Sequence, residues 1–85
     1  MKFKNLCFTK HPNTSDGIMA QAICDNGKRI SVVSGKGMYS SGKNGNRESV
    51  TSLEEASSFE VMIGSDEPLG WQSKEDIDKL LKDNS

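Results

Sequence analysis

Apolar and polar residues alternate along three stretches of the chain. Ile18, Ala20, Ala22 and Cys24 fall on one side of an extended run, with Met19, Gln21 and Ile23 on the other. A strand has a side-chain period of two, so the pattern predicts a strand over 18–24. A second apolar run, over 28–34, follows Asp25-Asn26-Gly27. Asn-Gly between two such runs predicts a hairpin with a type I′ turn, because both turn residues tolerate positive φ. The third stretch, 58–63, places Phe59, Val61 and Ile63 on one face. Near the end of the chain the period changes. Ile77, Leu80 and Leu81 lie at i, i+3 and i+4, which is one stripe of a helix. Ser73 is a good N-cap, and Glu75 and Asp76 sit in the first turn, where the helix dipole favours acids. A helix from about 74 to 83 is predicted.

The intervening segments are less regular. Residues 1–9 carry Phe3, Leu6, Cys7 and Phe8 and read as a first strand or an extended arm. Residues 11–17 have the Pro, Asn, Asp and Gly of a loop. Residues 35–50 hold Gly35, Gly37, Gly42 and Gly45 without apolar periodicity, and read as a mobile Gly/Ser-rich loop anchored only by Met38, Tyr39 and Val50. Thr51-Ser52-Leu53-Glu54 fits a capping box, with a helical turn through Ala56. Residues 64–70 read as a turn. Trp71, the largest apolar side chain, precedes the helix and is expected to cover the helix–sheet junction. The expected architecture is α+β: one domain over 1–85, with a small antiparallel sheet of three or four strands and a C-terminal helix packed on one face.

Composition narrows the function classes. Only 33% of the 85 residues are hydrophobic and 6% aromatic, so the core is thin and a surface site is favoured over a deep pocket. Residues 1–47 carry eight Lys/Arg against Asp16 and Asp25, a charge of +6. Residues 48–85 carry three Lys against ten acids, a charge of −7. Such polarity either compensates within the fold or steers a charged partner. No long apolar run or export signal is visible, so Cys7 and Cys24 are expected as reduced thiols in a cytoplasm.

The candidate chemistry is sparse. Gly37 to Asn44 nearly matches the phosphate loop G-x-x-x-x-G-K-[ST], but Asn44 stands where the Mg²⁺-binding hydroxyl belongs. Cys7, His11 and Cys24 are three possible metal ligands without the paired spacing of structural zinc sites. His11 is the only histidine, and no nucleophile motif surrounds it. The sequence therefore implies no enzyme, no metal and no cofactor. Lys28, Arg29, Lys36, Lys43 and Arg47 fall in an acid-free segment with Tyr39 in its middle. That is the composition of a phosphate-contacting loop with a stacking ring, and a nucleic-acid binder using residues 28–47 is the alternative function.

Three segments carry a resemblance: Ser31-Val32-Val33-Ser34-Gly35-Lys36-Gly37-Met38-Tyr39, then Phe59-Glu60-Val61, then Gly70-Trp71-Gln72-Ser73-Lys74-Glu75-Asp76-Ile77. In this order they resemble small proteins encoded by tailed bacteriophages. The resemblance spans roughly residues 16–82, with 40–57 looking like an insertion. It implies a phage origin and a host-cell cytoplasmic setting, and no activity or catalytic residue. The main expectation is a noncatalytic interaction protein that binds a host or phage macromolecule, most simply a protein, and blocks a host enzyme or defence complex. Lys36, Met38, Tyr39, Lys43 and Arg47 are its expected contact residues.

Overall fold

A computed structural model describes residues 1–85. The strands are β1 (Thr9–Lys10), β2 (Gly17–Ile23), β3 (Arg29–Gly35), β4 (Ser41–Gly42), β5 (Gly45–Asn46), β6 (Phe59–Ile63) and β7 (Leu69–Gln72), followed by α1 (Lys74–Asp83). The fold is α+β. β1, β2, β3, β6 and β7 lie in that order in one antiparallel sheet, with α1 packed against it. β4 and β5 form a separate small hairpin. No helix is long and apolar enough to cross a membrane.

Register follows from the alternation in the sequence. Ala20 pairs with Val32 and Val32 with Val61; Ala22 pairs with Ile30 and Ile30 with Ile63. Opposed residues share a face, so each row places small or β-branched side chains against the same core. Phe59, Val61, Ile30 and Val32 are fully buried there. Ile77 and Leu81 close the core from the helix, with Leu80 half-buried on its flank. α1 starts as predicted: the Ser73 hydroxyl accepts from Asp76 N at 3.0 Å, and the Asp76 carboxylate accepts from Ser73 N at 2.9 Å. The bond from Ser73 N, with the Ser73 hydroxyl beside it, holds the Asp76 carboxyl below its ordinary pKa.

Several expectations are corrected. The sheet has five strands, because two short edge strands, β1 and β7, carried no readable alternation. Residues 3–5 form a 3-10 turn, which buries Phe3 and Leu6 at the end of the sheet. The 18–34 hairpin is present, but its turn is not type I′. Gly27 alone takes positive φ (91°), Gly27 N donates to Cys24 O at 2.8 Å, and Cys24 N donates to Lys28 O at 2.7 Å. That is a three-residue loop with glycine in the left-handed position, the next most common hairpin closure. Thr51 pairs with Glu55 in place of Glu54: the Glu55 carboxylate accepts from Thr51 N and Thr51 Oγ1, which lowers its pKa.

Residues 35–50 are tied into the fold at more points than Met38, Tyr39 and Val50, although half of them, Tyr39 and Lys43 included, are exposed. Ser40 and Val50 have no exposed surface. Asp16 O accepts from Lys36 N and Val50 N, both at 3.0 Å, so both ends of the segment hang on one carbonyl. Ser40 Oγ accepts from Gly35 N at 3.1 Å, and Arg47 N donates to Ser40 O at 2.7 Å. The stretch resembling an insertion is likewise tied in, with Ser57 N and Ser58 N both donating to Ser41 O and a bridge joining Gly42 to Ala56. Ser34 Oγ donates to Ser58 O at 2.9 Å across the same interior. Serine performs here what apolar residues perform elsewhere, and no buried side-chain polar atom lacks a partner.

Candidate functional site

Trp71 does not cover the helix–sheet junction. Its side chain is 48% exposed and its ring lies 5.6 Å from that of Tyr39, itself 49% exposed. The cause is a bulge in β7. Phe59 pairs with Gln72 and Val61 with Leu69, so Gly70 and Trp71 together oppose Glu60. Trp71 takes φ 51°, which turns its N–H onto Tyr39 O at 2.8 Å. Gly70 is required for this approach, since a Cβ there would lie 2.9 Å from Tyr39 Cβ. On its other side Tyr39 N donates to the Glu60 carboxylate at 3.0 Å. Both backbone polar groups of Tyr39 are thus fixed by the last two strands of the sheet, β6 and β7.

Arg47 completes the array. Its guanidinium stands 5.5 Å from the centre of the Tyr39 ring, a cation–π separation. Nη2 donates to Gly37 O at 2.8 Å, while Gly37 N donates to Arg47 O at 3.0 Å. Arg47 also has positive φ, 58°. Arg47 and Trp71 are the only non-glycine residues in the chain with positive φ, and they flank the same ring. An L-residue in this region carries a cost of roughly 1–2 kcal/mol, and a bulky aromatic there is a genuine outlier.

The structure divides the sequence-expected contact residues. Tyr39 and Arg47 belong to the array. Met38 is half-buried and packs toward Gly17, so it belongs to the scaffold. Lys36 and Arg47 share an open polar hollow of about 570 Å³ with Asp16, Glu48 and Glu55. Lys43 is exposed on the β4–β5 turn, outside the residues that line this hollow. Lys28 and Arg29 lie at the far end of β3 from Gly35, so the 28–47 basic residues form no single track. Gly37 to Asn44 runs through a turn into β4, without the helix that a phosphate loop opens. Cys7 is exposed and Cys24 buried, and no three metal-capable side chains cluster. Burial pushes the Cys24 thiol pKa up, with the Asp25 charge adding to it.

Sequence reasoning missed Trp71 and Glu60 as site residues. No local signal marked Trp71: it lies outside the Ile77–Leu81 stripe, but Leu69, two positions earlier, would share its face in a regular strand, so nothing in the sequence set it apart from a core position. Nothing local marked Glu60, whose role is set by a backbone amide 21 residues away. No family model, curated protein or solved structure matches the chain.

Proposed function

We propose that the chain is a noncatalytic interaction protein of the tailed-phage type, acting in the host cytoplasm. It binds a protein partner through Trp71, Tyr39 and Arg47, and blocks a host enzyme or defence complex. The observation that carries this reading is the flanking of one half-exposed ring by the two left-handed non-glycine residues. Such strain persists only where surrounding structure fixes it, and it gathers at ligand clamps. Tyr, Trp and Arg are also the residues that dominate protein–protein hot spots. The array is held by backbone hydrogen bonds, so little ordering entropy opposes association. The phage and host elements rest on the resemblance of the three segments described above.

The test compares the native protein with a Tyr39→Ser/Trp71→Gly variant. Each is used for capture from a host lysate, and the recovered protein is then purified and titrated by calorimetry. The expected result is a stoichiometric complex whose Kd weakens about 100-fold in the variant. Equal affinity in the variant, or catalytic turnover by the isolated chain, overturns the reading. A nucleic-acid ligand would instead show affinity falling steeply with salt, with a log–log slope near −0.9 per duplex phosphate neutralised.

A further inference from the structure

Glu60 adjoins the array and has no direct ion pair. Its Oε1 accepts from Tyr39 N, and the side chain is half-buried. The only ion pair in the chain joins the Met1 amine to Asp25, so no Lys or Arg lies within 4.0 Å of the Glu60 carboxylate. Arg47, the cation already on the array, spends its Nη2 on Gly37 O. Trp71 has Tyr39 as its one aromatic neighbour and carries no cation on its ring. Glu60 faces Gly70 and Trp71 across the bulge.

These facts constrain what can cover the rings. A partner that buries Tyr39 and Trp71 also removes water from Glu60. A carboxylate buried without a counter-charge is strongly unfavourable, whereas one given a hydrogen-bonded cation is not. The same cation gains from the Trp71 face, indole being the best π-acceptor among side chains. A guanidinium meets both demands, since it is planar enough to stack and forked to bond a carboxylate.

We infer that the corner made by Trp71, Tyr39 and Glu60 is a receptor for an arginine side chain of the partner protein. This rests on the reading of the array as a protein-binding surface and names the chemistry that it recognises. Because Trp71 is the only tryptophan, its fluorescence reports the corner directly.

The experiment titrates the full chain with tri-arginine, with a tri-citrulline peptide as neutral isostere, and with an oligothymidine. Trp71 emission and the Tyr39 amide NMR shift are followed. Expected is a saturable response to tri-arginine only, weakened about tenfold or more by Glu60→Gln and by Trp71→Leu. Glu60→Gln leaves an amide oxygen for the Tyr39 N–H, so the fold is kept, and an unchanged far-UV spectrum checks this. A tri-arginine response that Glu60→Gln does not weaken is general attraction to the acidic half and overturns the inference. So does an equal response to citrulline, a response to the oligothymidine alone, or no response. Should the captured partner lose affinity on ring removal but not on Glu60→Gln, the interaction surface stands and the arginine receptor falls.

Discussion

All five aromatic side chains of the chain fall into two clusters of similar geometry and opposite fate. Phe3, Phe8 and Phe59 meet with centroids 5.3–5.6 Å apart, and Phe59 has no exposed surface. Tyr39 and Trp71 meet at 5.6 Å, and half of each lies in water. Ring contact alone therefore says nothing about role. Phe3 lies on a 3-10 turn, Phe59 on a strand and Phe8 in the segment just before β1, none of them with positive φ, so their packing needs no left-handed backbone. The exposed pair is reached by a bulge and two left-handed residues, so the backbone gives up stability to hold the rings where they are.

The contrast breaks most readily at Phe59. Phe59→Ala is expected to cost about 3–5 kcal/mol, a large share of a small domain's stability, in urea unfolding. A loss under 1 kcal/mol would show that the phenylalanine cluster is no core. Val50→Ala tests whether the 35–50 segment belongs to the stabilising side. Two methyl groups leave a fully buried site, so the loss should be roughly 2 kcal/mol by the same assay. A mobile loop would lose almost nothing.

That second experiment touches the limit of what the sequence disclosed. The alternation at Phe59, Val61 and Ile63, the stripe through Ile77 and Leu81 and the Ser73 cap were all legible, because each is a local pattern with a fixed period. The order in residues 35–50 comes from Asp16 O and Ser41 O, which bond partners distant in sequence, and from the Ser40 hydroxyl, which bonds Gly35 N within the segment; none of these leaves a period to read. Of the array, Tyr39 and Arg47 were legible from residue type. Trp71 was assigned to the core because its apolar surface was weighed and its left-handed backbone, set by the bulge, had no local sign.

Trp71→Gly against Trp71→Ala sharpens the comparison further. Both remove the ring, but only glycine suits φ 51°. The glycine variant should be the more stable by about 1 kcal/mol, read as a higher Tm. Equal Tm values would mean that the backbone at this position is not strained. Ser73→Ala, on the stabilising side, should cost about 1 kcal/mol through the lost cap.

The smallest effect expected is with pH. The hydrogen bond from Ser73 N, with the Ser73 hydroxyl beside it, depresses the Asp76 pKa, and those from Thr51 depress that of Glu55. A depressed folded-state pKa adds stability that is present above the unfolded-state value, near 4 for these side chains. It is lost as pH falls through the lower folded value. Acid unfolding followed by circular dichroism should therefore be shallower below about pH 4 in Asp76→Asn than in the native chain, and the two curves should run parallel above it. Parallel curves throughout would remove Asp76 from the acid response.

The two ends of the chain converge on the same hairpin turn. The Met1 amine meets Asp25 at 3.2 Å, Asn26 N donates to Asn84 O at 3.0 Å, and Met1 and Ser85 line one hollow. Residues 1 and 85 thus lie close together beside the turn between β2 and β3. A short flexible bridge can join the ends and the backbone can be cut in the exposed turn at 65–67, giving a circularly permuted chain with the same sheet order. In that chain β7 and α1 lead and β6 comes last. The corner of Glu60 and Trp71, near neighbours in the native order, would then be assembled from the two extremes of the polypeptide.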